Sequence, residues 1–481
     1  MSTPTPQRSA DPAATDGALS RAGIRFTAWA EKWFPDAFIF VAIAVVIVAL
    51  GALANGAPAP AIAKSFGDGF WSLIPFTMQM AFVTIGGYVV ATAPPVQALI
   101  DRLASIPKTG RGAVGFVAAA TMLSSFLSWG LSLIFGGLLA RALARRTELR
   151  MDYRAAGAAA YLGLGATWAM GLSSSAAQLQ ANPASLPKSL LPITGVIPFS
   201  ETIFLWQSML IAAILFVMSV IIAYASAPRA NTAMTAEDLG VNVDREKPDL
   251  GRPEQPGEWL EHSPILTILL VLIAGAWIYQ EFARQSWITA ISNLNTYNLL
   301  FITLGLLLHW RPKRFLVAVA KAVPATAGIL IQFPLYAAIS AMLTGPKNAA
   351  GISVSEVITH AFVSLNTTGS FPISMGVYSA VLGFFVPSGG GKWLLEAPYV
   401  MQAANELQVH LGWAVMVYNA AEALPNLINP FWMLPLLGIL GLKARDIVGF
   451  SFLQLLIHLP VVLFLLWALA FTLTYHPPVM P

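Results

Sequence analysis

The sequence contains no cysteine and little charge: Asp, Glu, Lys and Arg together make up 10% of its 481 residues. The first absence excludes a disulfide framework, a thiolate metal site and a cysteine nucleophile, and leaves the redox compartment undecided. The second excludes an ordinary soluble chain, of which about a quarter is charged. Also missing are His-Glu-x-x-His, Gly-x-Ser-x-Gly, a phosphate-binding Gly-Lys-Ser or Gly-Lys-Thr loop, and any RNA- or DNA-binding signature. ATP hydrolysis by a known motif and a nucleic-acid partner are therefore not expected, and no cofactor is specified.

What is present is apolar. Hydrophobic residues make up 57% of the chain and the mean hydropathy is +0.68, so most of its solvent is lipid. Ala37 to Ala54, Pro264 to Gln280 and Ile447 to Thr474 carry no Asp, Glu, Lys or Arg. Each is long enough to cross a hydrocarbon core of roughly 30 Å as a helix. None alternates with the period of two that a β-barrel requires. Residues 1–36 are polar and rich in Ala, Pro, Ser and Thr, and read as a cytoplasmic tail.

Of the 27 Lys and Arg, 22 fall in the segments 1–36, 102–111, 141–154, 229–252, 311–321 and 443–445. Under the positive-inside rule these lie on the cytoplasmic face, and a topology follows. The first inverted repeat, 37–226, contains a crossing, a return through 75–94, and a stretch 113–140 with basic residues at both ends. That stretch is short for two spans and reads as a re-entrant hairpin broken at Ser128-Trp129-Gly130. A discontinuous helix over 155–192 is interrupted at Ser173-Ser174-Ser175, with Gln178, Gln180 and Asn182 beyond, and a span over 201–226 follows.

A cytoplasmic linker, 227–263, and a connecting span, 264–294, lead to the second repeat, 295–474. Its outward crossing is 323–343 and its hairpin, 373–402, is broken at Pro387 to Gly391. Its discontinuous helix, 411–442, is broken between Pro425 and Pro430. The last span leaves a periplasmic tail, 475–481. Gln79 precedes Gln332 by 253 positions, Trp129 precedes Ser388 by 259, and Ser174 precedes Asn429 by 255. The expected fold is an all-α polytopic membrane protein of two inverted-topology repeats, an architecture of secondary transporters.

Broken helices expose backbone groups that lipid cannot satisfy, so the breaks mark the site. Candidate substrate-binding residues are Ser128, Trp129, Gly130, Ser173, Ser174, Ser175, Ser388, Gly389, Gly390, Gly391, Lys392, Asn426 and Asn429. Three successive glycines let backbone amides approach a ligand; the bland reading is a plain loop. Ser128, Gly130 and the serines at 173–175 could equally serve close helix packing. Lys392 either attracts an anion or pairs with Glu396 one turn on. Glu422, Ser388 and Asn429 are candidates for a coupling ion, H+ or Na+, while His458 reads as a packing histidine. The 14 Trp and 27 Phe read as lipid-facing and interfacial. A membrane enzyme using Glu422, His458 or His360 is the remote alternative, and a channel is a third.

Five segments carry a family resemblance: Gly67-Asp68-Gly69-Phe70-Trp71, Ser128-Trp129-Gly130, Val386-Pro387-Ser388-Gly389-Gly390-Gly391, Asn429-Pro430-Phe431-Trp432 and Arg445-Asp446-Ile447. In order and spacing they resemble the bacterial short-chain fatty acid transporter family, from about Trp33 to Thr474. The resemblance implies a small monocarboxylate such as acetoacetate or butyrate, or alternatively another small anion such as a dicarboxylate, carried across the inner membrane. Membership of the wider ion-transporter superfamily implies a homodimer and an elevator movement of the hairpins and broken helices, often with sodium. The Ser-Asn-Thr hairpin signature of sodium-coupled dicarboxylate members is absent here, with Ser-Trp-Gly and Ser-Gly-Gly in its place.

Overall fold

The computed structural model describes residue 32 and residues 37–183, 185–244, 250–386 and 388–480. The tail 1–36, residue 32 aside, the linker residues 245–249 and Pro387 lie outside them. Regular structure among the described residues is helical, apart from one antiparallel bridge between Lys347 and Ser353. By length and apolarity Ile74–Thr92, Gly110–Leu127, Trp206–Ser226, Ile265–Arg284, Pro312–Thr344 and Ala444–Ala470 could each cross a membrane. Ala37–Ala54 and Leu294–His309 are shorter apolar helices. Three further helices are amphipathic or short, Ala59–Ser72, Pro94–Ala104 and Val354–Leu365, and Pro312–Ala322 is the amphipathic first part of Pro312–Thr344, which continues as Ala327–Thr344.

The first hairpin is built from Gly110–Leu127 and Trp129–Ala144, with Ser128 alone extended between them (φ −157°, ψ 128°). Its arms of 18 and 16 residues are about 27 and 24 Å long, so it reaches deeper than the bounds 113–140 suggest. The first broken helix runs Tyr153–Leu162, widens into a π turn at Gly163–Thr167, tightens into a 3₁₀ turn at Trp168–Met170, and resumes at Ser175–Ala181. In the second half Phe371–Phe385 and Gly389–Glu406 form the hairpin, and Leu411–Asn426 and Pro430–Leu440 the broken helix. Pro425 falls inside the last turn before this break, and Pro430 opens the helix after it.

Packing partners recur in the two halves. Ile74–Thr92 packs on Trp129–Ala144 as Ala327–Thr344 packs on Gly389–Glu406. Gly110–Leu127 lies on Tyr153–Leu162 as Phe371–Phe385 lies on Leu411–Asn426. Trp206–Ser226 covers Gly110–Leu127 as Ala444–Ala470 covers Phe371–Phe385, and these two outer helices meet. At their contact Ser219 Oγ is 2.9 Å from His458 Nε2, and Gln454 donates to Ser219 O. His458 is thus a packing histidine, as read.

The entry helices are exchanged between halves. Ala37–Ala54 and Ala59–Ser72 lie against Ala327–Thr344, whereas Leu294–His309, backed by Ile265–Arg284, lies against Ile74–Thr92. Gln79 fixes the latter contact: its side chain donates to Asn295 Oδ1 (2.9 Å), its carbonyl accepts from Asn298 Nδ2 (2.9 Å), and its Oε1 accepts from Ser185 (2.8 Å).

The segment after Ala470 is laced across the same molecule. Gln207 donates to Thr472 Oγ1, Tyr475 to Asn405 Oδ1, and the Val196 amide to Val479 O at 2.8 Å. Glu201 Oε2 lies 2.7 Å from His476 Nε2 and 3.8 Å from His410 Nε2.

Candidate functional site

All four breaks contribute to one narrow cavity of about 30 Å³, room for a water molecule or two as it stands. Trp129 comes from the first hairpin, Leu164, Trp168 and Ser175 from the first broken helix, Ser388, Gly389 and Gly390 from the second hairpin, and Asn426 and Trp432 from the second broken helix. Met80, Ile329 and Phe333 of the crossing helices complete the wall. None of these twelve side chains is charged.

The polar edge is the start of Gly389–Glu406. Ser388 caps it, its Oγ accepting from the Gly391 amide at 3.2 Å. The amides of Gly389 and Gly390, in the first turn, face no helical carbonyl, and the helix dipole adds partial positive charge there. Two further polar atoms are buried at the cavity without a hydrogen-bond partner among the described residues, Trp168 Nε1 and Asn426 Oδ1. Unpaired buried polar atoms are costly, and both belong to residues that line the cavity. The remaining wall is aromatic and aliphatic, with Trp129 and Trp432 in edge contact at 5.8 Å between ring centres.

The glycine run has a second role that the sequence reading did not contain. A Cβ on Gly389 would overlap the Trp168 ring, one on Gly391 the Tyr336 ring, and one on Gly390 would press on Ser175 Cβ and Phe333 Cζ at 3.1 and 3.3 Å. The run makes room for aromatic rings as well as baring amides.

Other candidates are placed differently. Ser128 caps Trp129–Ala144 through the Leu131 amide, and Ser173 accepts from the Trp129 amide at 2.8 Å, stitching the first hairpin to the first break. Gly130 packs against the backbone of Val83 and Thr84. Ser174 Oγ is buried without a partner among the described residues, as are both amide atoms of Gln178 and of Gln180. Asn429 donates to Phe384 O at 3.4 Å, joining the second break to the second hairpin.

Lys392 does not reach the cavity as a free cation. It is fully buried, with Nζ 2.7 Å from Glu396 Oε1 and 3.0 Å from Glu422 Oε2. Nζ also donates to Ser379 O and Oγ and lies 4.2 Å from the centre of the Tyr418 ring. Pairing with Glu396 was one of the two sequence alternatives. The sharing with Glu422 was invisible, because 30 residues and a helix break separate the two. Gly383 makes this junction fit, since a Cβ there would meet Glu422 Oε2 at 2.6 Å.

The aromatic reading needs correction. Trp129, Trp168, Trp393, Trp413, Phe76 and Phe333 are buried rather than lipid-facing. Composition cannot separate the two, because lipid and protein interior are equally apolar. Three tyrosines were also missed. Tyr297 donates to Leu127 O (2.7 Å) and Tyr161 to Asn426 O (2.7 Å), so hydroxyls cap carbonyls at the helix ends before two breaks, and Tyr418 donates to Gly389 O (2.5 Å) in the first turn after a third.

Comparisons with known proteins agree with this architecture. The MtrF efflux pump of Neisseria gonorrhoeae, described as representing a class of antimetabolite efflux pumps, matches with TM-score 0.57 at 14% identity, over 95% of this chain and all of that one. The YdaH transporter of Alcanivorax borkumensis, described as having an unusual topology, matches with TM-score 0.52 at 14% identity, over 93% and 97%. These likenesses identify the fold, that of multi-pass membrane transporters. An Escherichia coli K12 protein with the provisional name of short-chain fatty acid transporter is 34% identical over 443 residues, 92% of this chain and 97% of that one. A Haemophilus influenzae protein of the same provisional name is 31% identical over 450 residues, 92% and 98%. The model of the short chain fatty acid transporter family matches residues 18–469, and the chain belongs to that family.

Proposed function

We propose that this protein is a secondary active transporter that carries short-chain fatty acids or similar small monocarboxylates, such as acetoacetate and butyrate, across the bacterial inner membrane, driven by a cation gradient. The observation that carries this reading is the convergence of four backbone breaks on one cavity with amide donors at one edge and apolar walls elsewhere. A carboxylate of a few carbons matches the chemistry of this lining, and the narrow cavity has to widen to admit one. The head accepts from the Gly389 and Gly390 amides and the Trp168 indole, and the alkyl chain lies against Met80, Ile329, Phe333 and Trp432. A lining without Lys or Arg suits one carboxylate better than two, since dicarboxylate clamps usually use Arg.

Access alternates by an elevator-type movement of the hairpins and broken helices against the crossing helices, in a homodimer with the N-terminus cytoplasmic and the C-terminus periplasmic. The repeated partners of the two halves support an inverted repeat.

Purified protein in proteoliposomes should exchange external labelled butyrate or acetoacetate for the internal unlabelled acid faster than protein-free vesicles. Ser388→Ala or Asn429→Ala should slow that exchange with normal insertion into the membrane. If neither acid is exchanged, or if both variants match the parent, the substrate class or the site assignment is wrong.

A further inference from the structure

The coupling ion can be named from what surrounds the breaks; the inference rests on the transport reading above. A sodium ion at a helix break is coordinated by unwound backbone carbonyls and neighbouring hydroxyl oxygens. Here several oxygens at the breaks already accept hydrogen bonds. Leu127 O takes the Tyr297 hydroxyl, Asn426 O that of Tyr161 and Gly389 O that of Tyr418. Phe126 O takes the Leu172 amide, Phe384 O the Asn429 amide and Ser173 Oγ the Trp129 amide. A cation would have to displace these donors one by one. Asn426 Oδ1 and Ser174 Oγ remain without a partner among the described residues, so a sodium ion would find two free oxygens and would have to displace donors to complete its shell.

The ionisable constellation behind the cavity fits a proton. Lys392, Glu396 and Glu422 have no exposed side-chain surface. Fully ionised, they sum to one buried negative charge, an arrangement that burial strongly disfavours. One added proton brings the sum to zero. Glu396 is the better provided for as a carboxylate: its Oε1 accepts from Lys392 at 2.7 Å and from Ser379 at 3.2 Å, while its Oε2 has no partner among the described residues. Glu422 is less well satisfied. Lys392 is 3.0 Å from its Oε2, and its Oε1 has no partner among the described residues.

Glu422 also lies one helical turn before Asn426, which lines the cavity, while Lys392 lies one turn beyond Gly389. The other titratable groups around the triad are the phenols of Tyr336, Tyr418, Tyr378 and Tyr399, one from each of the crossing helix, the second broken helix and the two hairpin arms.

We infer that the Lys392–Glu396–Glu422 triad is a single-proton site, with Glu422 as the carrier, and that the protein is an electroneutral proton–monocarboxylate symporter. With the cavity empty and the triad deprotonated, one negative charge is buried. A substrate anion in the cavity, one turn away, makes a second. The anion therefore enters with a proton on Glu422, and both leave together on the opposite side.

The test is the initial rate of labelled butyrate uptake and exchange in proteoliposomes, with the rate in protein-free vesicles subtracted because the uncharged acid crosses bare lipid. One unit of pH gradient and a tenfold substrate ratio are about equal in free energy at one proton per anion. An inward proton gradient should therefore stimulate protein-dependent uptake, whereas a sodium gradient and a potassium–valinomycin potential should not. Glu422→Gln should reduce the stimulation by a proton gradient to about onefold and leave a slower exchange whose rate no longer varies with pH. Glu422→Asp, which keeps the acid, should restore part of the gradient response.

Stimulation by sodium, a response to membrane potential, or a Glu422→Gln variant that still follows the proton gradient overturns the inference and leaves the transport reading intact. Absence of any exchange by the parent protein overturns both.

Discussion

Gly389→Ala is a one-methyl perturbation that should disable the cavity. The added Cβ would lie 2.9 Å from Trp168 Cζ2 and 3.1 Å from Cζ3, and nearer still to Cη2. Trp168 cannot swing aside, because its indole is 4% exposed and held in the 3₁₀ turn of the first broken helix. Overpacking of this kind costs about 1–3 kcal/mol, equivalent to roughly 5- to 150-fold in an equilibrium constant. Gly389 belongs to one half of the molecule and Trp168 to the other, so the strain falls on the seam that lines the cavity. The expected result is a fall of that order in apparent affinity for labelled butyrate in exchange assays.

Gly438→Ala supplies the control, since no atom lies within 4 Å of its added Cβ; it should behave as the parent. Trp168→Leu should relieve part of the defect when combined with Gly389→Ala, a coupling that a double-mutant cycle would register. Parent-like affinity in Gly389→Ala, or strict additivity in the double variant, would refute the packing argument.

Two further outcomes are expected. Tyr297→Phe removes the hydroxyl capping Leu127 O and leaves a buried carbonyl unpaired, at a cost of about 1–3 kcal/mol; thermal denaturation in detergent should show a lowered midpoint, and an unchanged one would mean that water replaces the hydroxyl. Glu201→Ala removes the carboxylate 2.7 Å from His476 and 3.8 Å from His410; because Glu201 is 35% exposed the loss is small, under about 1 kcal/mol, and protease should clip the segment after Ala470 faster, while equal rates would show that the Gln207–Thr472, Tyr475–Asn405 and Val196–Val479 bonds hold it without that carboxylate.

Much of the frame was legible because helix breakers in apolar runs have few readings. Ser128-Trp129-Gly130 and the glycines after Ser388 interrupt stretches that must otherwise stay helical in lipid, and flanking arginines such as Arg141 and Arg145 told which ends lie on the same side. The serines at 128 and 388 are the caps of the second hairpin arms, a role that the sequence permitted but did not single out. What could not be read depends on distance in space. Glu422 meets Lys392 only because Gly383 lets two helices close on them. Tyr161, Tyr297 and Tyr418 have ordinary surroundings in sequence, and their roles appear only when each hydroxyl is seen on a carbonyl beside a break. Trp168 has the same composition signal as a lipid-facing tryptophan. The exchange of entry helices leaves no local trace at all.

That exchange makes the order of synthesis matter. Ile74–Thr92 emerges early, yet Leu294–His309, the helix it leans on, is made some two hundred residues later. Until then the Gln79 side chain has no Asn295 and its carbonyl no Asn298 to bond, and both must find other partners in the bilayer or beside it. The first half is therefore a waiting intermediate rather than a finished unit, and Ala327–Thr344 inherits a cradle, Ala37–Ala54 and Ala59–Ser72, laid down before it existed. Neither half of this molecule can mature without the other.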